Sequence, residues 1–266
     1  MKRARRGRPA ALRHRRFFCV AEDCMRKAIA WSIAMVVVLA ASGLSSASPE
    51  SVIAIDVGHS VSTPGATSAR GVPEFQFNRE LAIVVHRTLS SDGIHVFLIG
   101  ADGQETDLRK RTDRAFAGNA TFLLSIHHDS VQPRYLKSWR WLNRTRSYCD
   151  TFSGYSLFVS RANREAASSL RCASEIGASL RHEGFSPSPH HAERIPGEAR
   201  EWADEENGVY YYDGLSVLAH ATCPAVLLEA GIIVNRDEEK RIQTEETRRA
   251  IAAAVEQGLA ACGMLR

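Results

Sequence analysis

Histidines and acidic residues stand at the ends of several apolar segments of this sequence. His59 comes two residues after the run SVIAIDV, and the adjacent pair His127 and His128 follows the run ATFLLSI. Glu229 lies within AVLLEAGI, and Glu74 opens a segment of helical spacing. Two imidazoles and a carboxylate form the His₂Glu ligand set of catalytic zinc sites, and a further carboxylate nearby can act as a general base. These residue types therefore indicate metal-dependent hydrolysis.

Runs of strand length alternate with segments of helical spacing after residue 50. The predicted strands cover 51–57, 94–100, 120–126, 154–160, 215–219 and 225–232. The predicted helices cover 74–93, 106–119, 163–184 and 237–263, with Thr106 or Asp107 as the N-cap of the second. This alternation predicts a single α/β domain with a mostly parallel central sheet of about six strands, flanked by helices.

The carboxyl ends of parallel strands meet at one edge of a sheet, where ligands collect in α/β proteins. This rule places His59, the histidine pair and Glu229 at the same edge, with Glu74 close to it. It does not choose between His127 and His128, because neighbouring residues of a strand point to opposite faces. In the alternative interpretation, the histidines are ordinary hydrogen-bonding residues at strand ends, and Glu74 complements the helix dipole.

The basic character of the chain is confined to its N-terminal leader. The first 27 residues hold ten of the 34 Lys and Arg residues and two of the 30 Asp and Glu residues, so the remainder has 24 basic and 28 acidic side chains. Nucleic-acid binding is therefore disfavoured. The uncharged run 28–44 and the small residues after it predict a signal peptide or leader over 1–47, with Met25 as an alternative initiator. Residues 48–266 then form an exported domain of the periplasm or cell envelope, and an uncleaved membrane anchor is the alternative.

Four cysteines lie beyond the leader. They are Cys149, Cys172, Cys223 and Cys262. An oxidising compartment allows three pairings, among which the sequence does not choose, and buried free thiols are the alternative. No two of them are spaced as C-x-x-C, so a cysteine zinc site is disfavoured.

Four segments in a fixed order carry a recognisable pattern. They are IAIDVGHS, PGATSARGVPEFQFNRELA, ATFLLSIHHDS and PAVLLEAGIIVNRDEE. Together they resemble the zinc-dependent N-acetylmuramoyl-L-alanine amidases of the bacterial cell wall, the Amidase_3 family. The resemblance implies Zn²⁺ as cofactor, with His59, Glu74 and His127 as its ligands and Glu229 as the catalytic carboxylate. It also implies peptidoglycan as substrate, whose amide bond between N-acetylmuramoyl and L-alanine is cleaved in wall remodelling and daughter-cell separation.

Further residues are candidates for contacting or gating the substrate. They are His128, Asp129, His190, His191 and Asn235. We expect His128 to face away from the metal, towards the long connection 128–153. A second long connection, 185–213, contains the pair His190-His191. Some members of the family carry an inserted segment that covers the zinc until a partner protein moves it, which makes 185–213 a candidate plug and an activator protein the implied partner. A substrate-binding wall is the alternative.

Two other functions fit the same residues. The first is that of another exported zinc peptidase or carboxypeptidase that acts on wall peptides. The second is that of a wall-binding regulator without catalysis, which the complete set of His59, Glu74, His127 and Glu229 disfavours. The products released from peptidoglycan distinguish all three functions.

Overall fold

The apolar runs of the sequence form the central strands of a mixed sheet. The computed structural model describes residues 51–265, and the predicted leader 1–47 lies outside them. In chain order the strands and helices are β1 (Val52–Val57), α1 (Glu74–Ser91), β2 (His95–Ile99), α2 (Leu108–Ala117), β3 (Phe122–Asp129), β4 (Lys137–Trp141), β5 (Arg144–Tyr148), β6 (Ser156–Val159), α3 (Ala166–His182), β7 (Glu201–Asp204), β8 (Val209–Tyr211), α4 (Ser216–His220), β9 (Ala225–Ile232), α5 (Glu238–Ile242) and α6 (Glu245–Ala261).

Seven of these strands form the central sheet, in the order β2-β1-β3-β9-β6-β8-β7. The pairs β1–β2, β1–β3, β3–β9 and β6–β8 are parallel, whereas β6–β9 and β7–β8 are antiparallel. The prediction of a single α/β domain with a mostly parallel sheet is confirmed. The three central strands β1, β3 and β9 are buried almost throughout, as their unbroken apolar runs require.

Helices cover both faces of the sheet. On one face α1 and α3 pack against α6, and Leu81, Ile176 and Val255 join the inward side chains of the strands in the main core. On the other face α2 and α4 close a smaller core that includes Ala115 and Leu218. No helix within residues 51–265 is long and apolar enough to cross a membrane.

One disulfide joins the helices of the larger core. Cys172 of α3 bonds to Cys262, which follows α6, over a sequence separation of 90 residues. Closing a loop of this length stabilises a fold by about 4.5 kcal/mol in the chain-entropy model. Cys149 and Cys223 are buried free thiols, so the four cysteines form one disulfide and two thiols rather than any of the three complete pairings that the sequence left open.

Two predicted elements differ from the structure. The pattern of the run LSVLA predicts a strand, but Ser216–His220 is the short helix α4. A five-residue apolar run is too short to distinguish the periodicity of a strand from that of a helix. Here one turn of helix buries Val217 and Leu218, as a strand would also have done. The outer strands β7 and β8 come instead from the connection 185–213. The predicted final helix is divided at Thr244, whose side chain accepts a hydrogen bond from the backbone N–H of Thr247.

Candidate active site

Predicted site residues lie together at the carboxyl ends of β1 and β3. His59 follows β1, His127 lies near the end of β3, and Glu74 is the first residue of α1. In the sheet, His127 is paired with Glu229 of β9. The parallel pairing of β1, β3 and β9 therefore brings residues that are far apart in the sequence to one edge of the sheet.

The carboxylate of Glu74 lies between two imidazoles. Its Oε2 is 3.0 Å from Nε2 of His59, and its Oε1 is 3.1 Å from Nδ1 of His127. The two rings meet edge to face with their centroids 4.9 Å apart, and one donor atom from each residue lies within 4.8 Å of the others. Donor atoms of a tetrahedral zinc site are roughly 3.3 Å apart. The three side chains therefore have the composition and spacing of a His₂Glu metal site.

Hydrogen bonds hold Glu74 in this position. The backbone N–H of Ala66 donates to Oε2 and the amide of Asn78 donates to Oε1, at 3.0 and 3.1 Å. Burial acts to raise the pKa of Glu74, but its hydrogen bonds with His127 and His59 outweigh that effect and lower the pKa far below its usual range. Glu74 is therefore an ionised carboxylate that is held in a fixed orientation.

Glycines make room for the imidazoles and the carboxylate. A Cβ at position 58 would lie 2.3 Å from Nε2 of His127, and a Cβ at position 65 would lie 2.3 Å from Oε2 of Glu74. His59 itself has a φ of 68°, a left-handed conformation that is unfavourable for a residue with a side chain. Backbone strain of this kind persists where the surrounding structure enforces it, as at functional sites.

Gly58→Ala should weaken metal binding at least ~10-fold, because the added methyl group displaces the imidazole of His127. Gly58 lies outside the left-handed region, so alanine adds a steric clash without backbone strain. Titration of the metal-free protein with Zn²⁺ measures the change. Gly93→Ala is the control, since a Cβ at position 93 would have no atom within 4 Å and its φ of +80° confines any cost to the local backbone. Equal affinities in wild type and Gly58→Ala would show that position 58 does not shape the site.

A buried arginine forms hydrogen bonds with the backbone around His59. The guanidinium of Arg111 in α2 donates to Oδ1 of Asp56 and to the carbonyl oxygens of His59 and Glu105, each at 2.6 Å. The other oxygen of Asp56 accepts a hydrogen bond from Ser125 at 2.7 Å. Arg111 was not among the predicted site residues, although it lies four residues before the buried Ala115, on the inward side of the helix.

The expectation that His128 faces the long connection 128–153 is wrong. His128 is buried, its Nδ1 lies 2.8 Å from Oδ1 of Asn78, and its ring contacts Phe77. His128 lies on the same face of β3 as Leu124 and Ile126, which pack in the main core with α1, so the regular alternation of the strand turns it towards that helix and not towards the loop. Both His127 and His128 contact α1, one at its first residue and the other one turn later. Burial lowers the pKa of His128 to about 3, so its imidazole is neutral.

Glu229 is the second carboxylate beside the His₂Glu set. Its Oε2 is buried and has no hydrogen-bond partner within residues 51–265. Burial and the nearby carboxylates of Asp129 and Glu74 hold the pKa of Glu229 well above its usual range. A carboxyl group with a raised pKa in a cleft is suited to proton transfer near neutral pH.

Asp129 and the pair His190-His191 also lie together. The Nε2 atoms of His190 and His191 are 3.0 and 2.9 Å from Oδ2 of Asp129. Asn235 has a different environment, because its amide donates to the carbonyl oxygen of Phe152 and its Oδ1 accepts the backbone N–H of Glu238. These bonds fix the turn between β9 and α5.

Two neighbouring cavities open at this edge of the sheet. One, of about 220 Å³, is lined by His59 and His127 together with Glu105, Thr106 and Leu215. The other, of about 200 Å³, is lined by Glu229, His191, Glu198, Arg200 and again Leu215. Segment 185–213 lines the second cavity and not the first. The structure therefore places this segment beside Glu229 rather than over the His₂Glu set.

Comparisons with known proteins agree on one family. Residues 53–261 match the family Amidase_3, described as N-acetylmuramoyl-L-alanine amidase. A protein of Buchnera aphidicola (subsp. Schizaphis graminum) whose name refers to the same activity is 24% identical over 229 residues, which cover 76% of this chain and 91% of that protein.

Solved structures show the same fold. An N-acetylmuramoyl-L-alanine amidase of Clostridium difficile 630 superposes with a TM-score of 0.62 at 20% identity, over 80% of this chain and 97% of the other. The CwlD amidase of Clostridioides difficile, solved in complex with the GerS lipoprotein, superposes with a TM-score of 0.56 at 18% identity, over 80% of this chain and 98% of the other.

Proposed function

Because the chain belongs to the Amidase_3 family of N-acetylmuramoyl-L-alanine amidases, we propose that His59, Glu74 and His127 hold its catalytic zinc ion and that Glu229 is its catalytic carboxylate. The enzyme hydrolyses the amide bond between the muramoyl group and L-alanine in peptidoglycan. The observation that carries the assignment of residues is the convergence of two imidazoles on the ionised Glu74, next to the strand that bears Glu229.

The donor set fits zinc better than the hard cations. Two imidazole nitrogens and one carboxylate suit Zn²⁺, whereas Mg²⁺ and Ca²⁺ prefer oxygen ligands. The room left by Gly58 and Gly65 fits a site in which both imidazoles must approach one carboxylate. When bound, zinc supplies Lewis acidity to a carbonyl oxygen and lowers the pKa of water towards neutrality.

The residues of the chain supply orientation and proton transfer. Arg111 holds the carbonyl oxygen of His59, and Asn78 holds Glu74, so both side chains are fixed before the substrate arrives. Glu229 accepts a proton at Oε2 from the attacking water and delivers it to the leaving nitrogen of L-alanine. Because Oε2 has no competing hydrogen bond within residues 51–265, it is free for both transfers.

The two cavities form the substrate cleft in this proposal. Leu215 contributes to both, so the scissile amide lies near it, between the His₂Glu set and Glu229. Segment 185–213 is a wall of this cleft. Its strands β7 and β8 belong to the central sheet, which supports a wall rather than a plug that moves away as a unit.

Digestion of purified peptidoglycan tests the proposed zinc chemistry. We expect stem peptides with a free N-terminal L-alanine to be released, a chelator such as EDTA to stop the release, and added Zn²⁺ to restore it. Mass spectrometry of the soluble products makes the measurement. Release of a C-terminal amino acid would indicate a carboxypeptidase, and wall binding without products would indicate a regulator. Activity that persists in the chelator would contradict the assignment of a catalytic metal.

Location and partners follow from the substrate. Peptidoglycan lies outside the cytoplasmic membrane, so we propose that residues 1–47 direct export to the periplasm or cell envelope. One structural relative was solved with a lipoprotein, which supports an activator protein as a partner here as well.

A further inference from the structure

We propose that Asp129, His190 and His191 bind a second transition-metal ion, which fastens segment 185–213 to strand β3 beside Glu229. This inference goes beyond the proposed function, because the ion is separate from the one assigned to His59, Glu74 and His127.

The geometry of this cluster repeats that of the first site. Two imidazole nitrogens face one carboxylate, with Nε2 of His190 and Nε2 of His191 at 3.0 and 2.9 Å from Oδ2 of Asp129. The corresponding distances around Glu74 are 3.0 and 3.1 Å. One donor atom from each of the three residues lies within 4.8 Å of the others. The ligand type and the spacing are therefore those of a zinc-class site.

The opposite nitrogens of both imidazoles have oxygen partners. Nδ1 of His191 is 2.9 Å from Oε2 of Glu198, and Nδ1 of His190 is 2.9 Å from Oγ of Ser188. Glu198 is in turn held by the amide of Gln132, at 2.8 Å from its Oε1. Metal-bound histidines characteristically donate their other ring N–H to a carboxylate or another oxygen, which fixes the tautomer and directs the free nitrogen to the ion. Both histidines have this arrangement.

An unsatisfied nitrogen points into the cluster. His190 is 2% exposed, and its Nε2 is buried without a hydrogen-bond partner within residues 51–265. It lies near Asp129 but is not aligned for an N–H···O bond. Leaving a buried nitrogen without a partner is energetically unfavourable. A coordinated ion would satisfy this nitrogen and the oxygen of Asp129 together.

The local charge also favours a cation. In the part of the chain that the structure describes, Asp129 and Glu198 form ion pairs with histidines alone and with no lysine or arginine. Arg200 lines the same cavity, but it donates to the backbone carbonyl oxygen of Glu198 and not to the carboxylate. A divalent cation balances these carboxylates without protonation of the imidazoles.

A purely ionic contact is the competing explanation. Burial lowers the pKa of His191, but the hydrogen bonds with Asp129 and Glu198 outweigh it and raise the pKa to about 9. Without an ion, a charged His191 would then hold Asp129 and Glu198 by itself. The two explanations differ in metal content, which can be counted directly.

Metal content per chain tests the proposal. The full-length protein is equilibrated with Zn²⁺, freed of excess ion by gel filtration and analysed by inductively coupled plasma mass spectrometry. We expect two ions per chain in the wild type, one in His59→Ala, one in His190→Ala/His191→Ala, and none when all three substitutions are combined. His220→Ala, an exposed histidine of α4, is the control and should retain both ions.

The His190→Ala/His191→Ala variant could lose its ion because it folds poorly. The His59→Ala variant tests the second site without that problem, since it leaves Asp129, His190 and His191 unchanged. A single ion in the wild type and none in a folded His59→Ala variant would overturn the second site and leave the first intact. One ion in His59→Ala and none in His190→Ala/His191→Ala would instead overturn the proposed catalytic site. Circular dichroism establishes that each variant is folded.

Discussion

Replacement of Glu229 by glutamine should lower the rate of peptidoglycan hydrolysis by about 10²–10⁴-fold and leave the zinc content of the catalytic site unchanged. Glutamine keeps the size of the side chain but cannot accept the proton of the attacking water. Because Glu229 lies on β9 and not among the three proposed ligands, its substitution does not remove a donor from the metal. The release of stem peptides and the zinc content are measured on the same preparation.

Glu201→Gln is the matched control for this experiment. Glu201 is an exposed residue of β7 that forms an ion pair with Arg161, and it has no part in the proposed proton transfer. It undergoes the same chemical change as Glu229→Gln and should hydrolyse at the wild-type rate. A Glu229→Gln variant that digests peptidoglycan as fast as the Glu201→Gln variant would disprove the assigned role.

His127→Ala and His128→Ala should have opposite effects, although the residues are adjacent. We expect His127→Ala to lose the zinc of the catalytic site and with it nearly all hydrolysis, because only two of three protein ligands remain. His128→Ala should keep that zinc but lose stability by roughly 1–3 kcal/mol, since it leaves the buried Oδ1 of Asn78 without its partner. Elemental analysis gives the first quantity, and urea denaturation of the metal-free proteins gives the second.

The test depends on the contrast between the two variants: His127→Ala loses zinc and His128→Ala keeps it. Loss of zinc in both variants would mean that His128 supports the site through Asn78, which also donates to Glu74. Loss of zinc in His128→Ala alone would exchange the roles of the two histidines and would contradict the register that the family resemblance implies.

The sequence was sufficient to predict that His59, Glu74, His127 and Glu229 would lie at one edge of the sheet. Buried apolar runs are read easily as the strands of a parallel sheet, and the residues at their carboxyl ends must then converge. His59 and Glu229 could be brought together in this way across 170 residues of chain. The choice of His127 over His128 came from the family resemblance, because alternation within a strand cannot say which face a ligand occupies.

Other features depend on contacts that no local pattern encodes. Alternation in β3 predicts that His128 faces away from His127, but the packing of α1 on that face decides that its partner is Asn78 and not the loop that follows. The pairing of Cys172 with Cys262 follows from the packing of α3 against α6. The short distance between Asp129 and His190 depends on the path of segment 185–213. That path is determined by β7 and β8, which join the segment to one edge of the central sheet.

The irregular end of β3 has a consequence for how the enzyme would take up metal. His127 and Asp129 are two residues apart on one short stretch of backbone, so the two sets of donors share a support. When an ion is bound at each set, the ion that fixes His127 also restricts the positions that Asp129 can take, and the reverse holds as well. Such coupling is reciprocal: the factor by which the first ion changes the affinity of the second equals the factor by which the second changes that of the first. The two sites would then not load independently, and the zinc affinity measured at either one would depend on whether the other is occupied.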